Sequence, residues 1–322
     1  MSATPHRSLT ARAPTRIDFG GGWTDVPPFP AEEGGFVCNV AIARYATARL
    51  RAGAPVGVGG CEDGANDELA RAALRRSGLT DVSLTLASDF PVGAGLGGSS
   101  AAGIATAGAL AAWRGRQPSL EEIAEESRAL EVEDLGVAGG RQDHYAAAFG
   151  GALALRFGDG VEVERIPLGA TAAELERRCV VGYTGESRIS GRTITGVIDA
   201  YRRREPHVTA ALRRMRALAE AMAAALRRGS VDDLGALVGE HWAHQRALHP
   251  EITTERIEAL VERARMAGAL GVKALGASGG GCVLAVAARG REEEVRAAVA
   301  ALAEPLAFRV DERGLDVTWA VS

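Results

Sequence analysis

Pro91-Val-Gly-Ala-Gly-Leu-Gly-Gly-Ser-Ser-Ala101 lies between a strand-like run, Val82-Ser-Leu-Thr-Leu-Ala87, and an Ala-rich, helix-favouring run from Ala101 to Trp113. A loop built of Pro91, Gly93, Ala94, Gly95, Leu96, Gly97 and Gly98 leaves backbone N–H groups unobstructed and ends on a helix N-terminus. Unpaired amides and the helix dipole there both favour negative charge. Ser99 and Ser100 add hydroxyls suited to capping the helix or to reaching a metal bound to phosphate. Alone, such a cluster reads equally well as a tight turn between packed elements, and the rest of the chain tips the balance.

The loop carries no lysine, so it is not the G-x-x-x-x-G-K-[ST] phosphate loop. No acidic residue follows at the end of a second strand about 20 residues on, so it is not a dinucleotide fingerprint either. Lys273 is the only lysine in the chain. A nucleotide held here must therefore be neutralised by Mg²⁺ and by arginine, whose fork suits bidentate contacts with phosphate and carboxylate.

The 322 residues are enough for two domains sharing an interface, and 47% apolar with 24% charged content is that of a globular protein. A net charge of −4 argues against a nucleic-acid partner. Cys38, Cys61, Cys179 and Cys282 are scattered, without metal or disulfide spacing, and read as reduced thiols of a cytoplasmic protein. No apolar run reaches membrane-spanning length and no signal core opens the chain, so no membrane partner is expected. Short β-like runs are expected at Phe36–Ile42 and Ala46–Arg51, helices at Asp67–Arg76 and Ser119–Leu135, and a hairpin at Ala152–Phe157 and Val161–Ile166. Three further helices are expected at Val208–Arg228, Val231–Leu248 and Thr253–Ala267, another at Arg291–Leu302, and an edge strand at Val317–Val321. Strands and helices mix without βαβ alternation, which makes the fold class α+β. Two domains are expected, residues 1–155 with the glycine loop and residues 156–322.

Four further features carry chemistry. Glu131, near the end of the Ser119 helix, and Asp143, in Gly139-Gly-Arg-Gln-Asp-His-Tyr145, could face one cleft. Mg²⁺ needs only one or two carboxylates beside phosphate oxygens, and a second carboxylate could orient or deprotonate a hydroxyl. The plain alternative for Glu131 is a solvated acidic face shared with Glu125, Glu126, Glu133 and Asp134. Arg16-Ile-Asp-Phe-Gly-Gly-Gly-Trp-Thr-Asp25 presents Asp18, Gly22, Trp23, Thr24 and Asp25, the residue types that grip a polyol by ring face and carboxylate, or else a glycine-rich turn with a buried Trp. Gly276-Ala-Ser-Gly-Gly-Gly281, with Gly279 and Gly280, permits close approach to a ligand or another loop. Thr184, Arg188 and Arg192 in the Tyr183–Arg192 segment, with Arg141, could meet an anionic substrate group. His144, His241, His244 and His249 read as packing or surface residues.

Three stretches in order, Ala13-Pro-Thr-Arg-Ile-Asp18 onward, Pro91 to Ala101 and Lys273 to Cys282, resemble the motifs of the GHMP kinase family. The resemblance covers nearly the whole chain. It implies an N-terminal domain like ribosomal protein S5 domain 2, a ferredoxin-like C-terminal domain with added helices, and ATP across the glycine loop. By motif position it makes Ser99 and Glu131 the Mg²⁺ ligands, Asp143 the residue that orients or deprotonates the acceptor hydroxyl, Arg16 its neighbour at the transferred phosphoryl, and Asp25 a sugar ligand. Gly22-Trp23 replaces the Glu-His pair of galactokinases, and the N-terminal lysine of mevalonate kinases is absent. Gly-Gly-Trp-Thr-Asp-Val-Pro-Pro, Gly-Gly-Arg-Gln-Asp-His-Tyr and Tyr-Thr-Gly-Glu-Ser-Arg look like heptose 7-phosphate kinases, which phosphorylate an anomeric hydroxyl, and like the L-fucokinase domain, toward which Asn39 also leans. The expectation drawn is a cytoplasmic ATP- and Mg²⁺-dependent kinase of the anomeric hydroxyl of a small sugar phosphate, a heptose 7-phosphate, as monomer or homodimer. A fucokinase-like enzyme, a kinase for a small non-sugar alcohol and a non-catalytic sensor are the alternatives.

Overall fold

The computed structural model describes residues 7–52, 57–58, 64–137, 139–186 and 191–320. Along the chain run β1 (Ser8–Gly20), α1 (Phe29–Glu33), β2 (Gly35–Ala52), β3 (Gly57–Val58), α2 (Gly64–Ser77), β4 (Val82–Ser88), α3 (Gly98–Trp113), α4 (Leu120–Ala129), a π-helical turn (Leu130–Asp134) and α5 (Gln142–Phe149). There follow β5 (Ala152–Phe157), β6 (Val161–Ile166), α6 (Ala170–Arg178), β7 (Cys179–Tyr183), α7 (Gly191–Arg202), α8 (Pro206–Arg227), α9 (Val231–Gln245) and α10 (Glu255–Met266). The chain closes with β8 (Ala269–Ala274), β9 (Cys282–Ala287), α11 (Glu292–Ala300), β10 (Glu304–Leu306) and β11 (Asp316–Trp319). No helix among the described residues is long and apolar enough to cross a membrane.

Two sheets organise these elements. The first has the order β11-β1-β2-β4-β3, with β5 on the other half of β2 and β6 beyond it; the second has the order β10-β7-β9-β8. All pairings are antiparallel except β3 with β4. Side chains alternate across each strand, so β1 and β2 feed two cores. Leu9, Ala11, Ala13 and Val37 pack with α2, α3, α4 and α5. Ile17, Phe19, Phe36, Cys38 and Val40 pack with α8, α9 and the second sheet. A third cluster lies among the second sheet and α7, α8, α9, α10 and α11. The hairpin β5–β6 lies wholly in the first sheet, and β11 returns to it from the far end of the chain.

Two expectations are corrected. The runs expected at Phe36–Ile42 and Ala46–Arg51 form one 18-residue strand. Arg44 and Tyr45 interrupt the apolar pattern, but their polar ends have partners off the strand: Arg44 Nε donates to the Ala307 carbonyl and Tyr45 Oη to Asp311. The helix expected to run from Ser119 to Leu135 is α-helical only to Ala129, and Glu131 falls in the π-helical turn. Its start is as expected: Ser119 and Glu122 make a reciprocal capping box.

Helix α9 lies against β8 by glycine contact. A Cβ on Gly271 would fall 2.0 Å from the Gly235 carbonyl oxygen and 2.5 Å from the Gly239 amide nitrogen. Both are backbone atoms that cannot rotate away. Gly271→Ala is expected to destabilise the fold by about 3 kcal/mol through overpacking, read by urea denaturation; a variant with the wild-type midpoint would contradict this packing.

Candidate active site

The glycine loop leaves β4 and turns into α3. Gly93, Gly95 and Gly97 have φ of +68°, +73° and +76°, a region costly for any residue with a Cβ. Gly98 faces Phe90, whose Cε2 would lie 2.4 Å from an added Cβ. The amides of Gly98, Ser99 and Ser100 open α3 and have no intrahelical acceptor, so they point toward the space before the helix.

Arg16 enters this loop from β1. Its amide donates to the Leu96 carbonyl at 3.0 Å and its Nη1 to the Gly95 carbonyl at 2.6 Å. Its Nε and Nη2 donate to Asp143 at 2.8 and 2.9 Å, a bidentate pair. Asp143 stands in the first turn of α5, with its Cγ 3.0 Å from where a Gly97 Cβ would be. Burial pushes the Asp143 pKa above the ordinary carboxylate value, and the guanidinium of Arg16 works against that rise.

On the other side of the loop stands Glu131. Its Oε1 accepts from Ser99 Oγ at 2.7 Å; its Oε2 lies 2.9 Å from His144 Nε2 and 3.4 Å from Ser100 Oγ. His144 Nδ1 meets Ser127 Oγ at 3.0 Å. Burial acts to raise the Glu131 pKa, but His144 and the two serine hydroxyls outweigh it and hold the carboxyl below its usual value. Glu131 is therefore not part of a solvated acidic face. His144, read from sequence as packing, orients it; adjacency to Asp143 was the one available signal. A carboxylate and a hydroxyl beside free helix amides match the donor set of Mg²⁺ on phosphate, which takes few protein ligands. Among the described residues no cluster of three His, Cys, Asp or Glu groups offers an all-protein metal site.

The segment after β1 departs from a free polyol grip. Trp23 is 6% exposed, adopts φ +83° and joins the apolar cluster with Phe29, Tyr201 and Leu212. Thr24 Oγ1 donates toward the Gly21 and Phe36 carbonyls and accepts from the Phe36 amide, so its hydroxyl is committed to the turn. Asp18 is held by Lys273, whose Nζ donates to its Oδ2 and its carbonyl at 3.0 Å each. Gly22 is needed where it stands, because a Cβ would meet Asp18 Oδ2 at 2.5 Å and Gln142 Nε2 at 2.8 Å. Asp25 alone faces the α5 turn: its Oδ2 accepts from the Gln142 amide at 3.0 Å, next to Gly140. Burial pushes its pKa up to about 6, with Asp143 and Asp18 adding to the rise and the Gln142 amide opposing it.

Most of the later candidates hold other parts of the chain. Thr184 Oγ1 donates to the Gly281 carbonyl at 2.8 Å. Gly279 donates its amide to the Ile252 carbonyl, and a Cβ on Gly280 would lie 2.8 Å from the Glu186 carbonyl. Cys282 donates to the Ala94 carbonyl and Gly276 abuts Gly95, so this glycine cluster is built to press on the first one. His241, also read as packing, accepts from the Gly21 amide at 2.9 Å. Arg141 starts α5 with its Nε 3.6 Å from Glu125, and Arg192 pairs with Glu251. Arg188 and Cys61 lie outside the described residues.

Similarity to known proteins follows the same plan. The family model "GHMP kinases N terminal domain" matches residues 67–151 and "GHMP kinases C terminal" matches 222–305. A mevalonate kinase of Pyrococcus abyssi is 33% identical over 74% of this chain and 69% of its own. The D-glycero-alpha-D-manno-heptose 7-phosphate kinase of Campylobacter jejuni is 27% identical over 85% of this chain and 88% of its own. A bifunctional fucokinase/GDP-fucose pyrophosphorylase of Arabidopsis thaliana is 27% identical over 87% of this chain, which spans only 30% of that protein. The solved structure of a D-glycero-D-manno-heptose 1-phosphate kinase from Bacteroides thetaiotaomicron superposes with a TM-score of 0.77 at 24% identity, covering 98% of this chain and all of that one.

The pKa of Asp25 makes a stability prediction. A carboxyl raised from 3.8 to about 6 binds its proton more tightly in the folded state, so it supports folding at low pH. That support is lost as pH rises from about 4 to about 6. Asp25→Asn keeps the acceptor for Gln142 without the charge, and should gain about 3 kcal/mol on wild type across that window in urea unfolding. A pH-independent difference would contradict the buried carboxyl.

Proposed function

The chain belongs to the GHMP kinase family, and within it we propose an ATP-dependent sugar kinase that phosphorylates the anomeric hydroxyl of a heptose 7-phosphate. The observation that carries the reading is the Arg16–Asp143 pair, seated on the glycine loop opposite the Glu131–Ser99 contact. On this reading a proton acceptor and an anion site would lie on two sides of one turn.

The amides of Gly98, Ser99 and Ser100 would hold the phosphates, and Ser99 with Glu131 would hold Mg²⁺. When bound, Mg²⁺ neutralises charge on the phosphate oxygens. Asp143 accepts the proton of the acceptor hydroxyl as the sugar O–P bond forms and the bond to ADP's bridging oxygen breaks. Burial raises its affinity for a proton, which favours that role. Arg16 holds Asp143 in place and offers positive charge to the transferring phosphoryl. Catalysis on this account is positioning and charge stabilisation.

Support for a sugar comes from Asp25 beside the α5 turn and from the heptose kinase match, whose length agrees with this chain. Arg16 in place of a lysine speaks against mevalonate despite the archaeal match. Arg141, only loosely paired with Glu125, is the described candidate for the 7-phosphate.

The test is ADP release with Mg-ATP against heptose 7-phosphates, L-fucose, D-galactose and mevalonate. The expected result is turnover with a heptose 7-phosphate alone, with Arg141→Ala raising the KM for it. Turnover with free L-fucose would keep the site and overturn the substrate; no ADP release with any of the four would remove support for the sugar reading.

A further inference from the structure

Arg16 and Asp18 stand two residues apart on the regular stretch of β1, opposite Ala41 and Asn39, so their side chains leave the same face. Opposite charges so placed are natural partners, and arginine is long enough to reach. They do not pair. Arg16 gives its two nitrogens to Asp143, and Asp18 gives its Oδ2 and its carbonyl to Lys273. Lys273 comes from β8 of the other sheet, is 0% exposed, and stands between the buried Val272 and Ala274. A buried ammonium at such a place is costly unless paired, and an apolar side chain of its size would pack as well.

We propose that Lys273 is a positioning residue: by occupying the Asp18 carboxylate it leaves Arg16 to Asp143 and so keeps the reacting pair assembled. The inference rests on the reading of Arg16 and Asp143 given above. Other titratable groups lie around the pair. Asp143 and Asp25 both feel Asp18, Arg16 opposes Lys273, and His241 stands close to Lys273. Without Lys273, Asp18 would be left beside Arg16, two residues along the same face of β1. Lys273 also leads directly into the Gly276–Gly281 cluster that presses on the phosphate loop, so the clamp acts where the two sheets meet.

The test compares Lys273→Met with the double variant Lys273→Met/Asp18→Asn, in which no carboxylate competes for Arg16. Lys273→Met should lose roughly tenfold or more in kcat while the KM for ATP stays within about twofold, and the double variant should recover most of the lost kcat. Crystals of Lys273→Met should show Arg16 turned to Asp18. If the single variant does not fold, the double variant carries the test, since it leaves no unpaired buried charge. Wild-type kcat in a folded Lys273→Met, or a double variant no faster than the single one, would overturn the proposal. Crystals of Lys273→Met with Arg16 still bidentate on Asp143 would overturn it independently of any activity, whether or not Asp143 proves to be the base.

Discussion

Arg16 makes hydrogen bonds to two separate parts of the chain: the Leu96 and Gly95 carbonyls of the glycine loop and both carboxylate oxygens of Asp143. It is 3% exposed, so its charge is stable there only while those acceptors stay in place. The requirement runs both ways. The loop must bring its carbonyls to the arginine, which calls for left-handed backbone at Gly93, Gly95 and Gly97. Helix α5 must start at Gln142, so that Asp143 points back across the loop. The second glycine cluster holds the loop from behind, through Gly276 against Gly95 and Cys282 to Ala94. Two sheets that share no strand thus meet around one guanidinium.

The site divides its work by charge. Toward α3, free amides and the Ser99–Glu131 pair form the end suited to phosphate and its cation. Toward α5, Asp143 and Asp25 form an acidic end suited to hydroxyl groups. The π-helical turn at Leu130–Asp134 brings Glu131 to the serines, a use of irregular helix common at functional sites. Glu131 and Asp143 are both largely enclosed, yet their pKa values move in opposite directions. Hydrogen bonds from His144 and two hydroxyls outweigh burial at Glu131, whereas at Asp143 burial outweighs a single arginine. On the proposed reading, the first would hold a cation and the second would take a proton.

Much of this was legible in the sequence where the signal is local. Glycine alternation before an Ala-rich run announced a turn onto a helix N-terminus, and Ser119 with Glu122 announced a helix start. Asp143, expected in a glycine-rich turn, stands instead in the first turn of helix α5. Residues whose role depends on distant partners were misread. Thr24 and Thr184 looked like ligands, but their hydroxyl protons go to the carbonyls of Gly21 and Phe36 and of Gly281. Trp23 looked like a sugar platform and is core. His144 and Lys273 carried no ligand spacing, because their partners stand 13 and 255 positions away and only the fold brings them together. Helices α6 and α7 and strand β7 were not anticipated, although α7 carries a clear apolar face in Val197, Ala200 and Tyr201.

The central claim is that Asp143, held by Arg16 on the phosphate loop, takes the acceptor proton. Asp143→Asn preserves shape and removes the base, so its turnover number and its affinity for Mg-ADP should be measured side by side. The account predicts kcat lowered by about 10²–10⁴, the range of a lost general base, with Mg-ADP affinity unchanged. Turnover near the wild-type rate would contradict it.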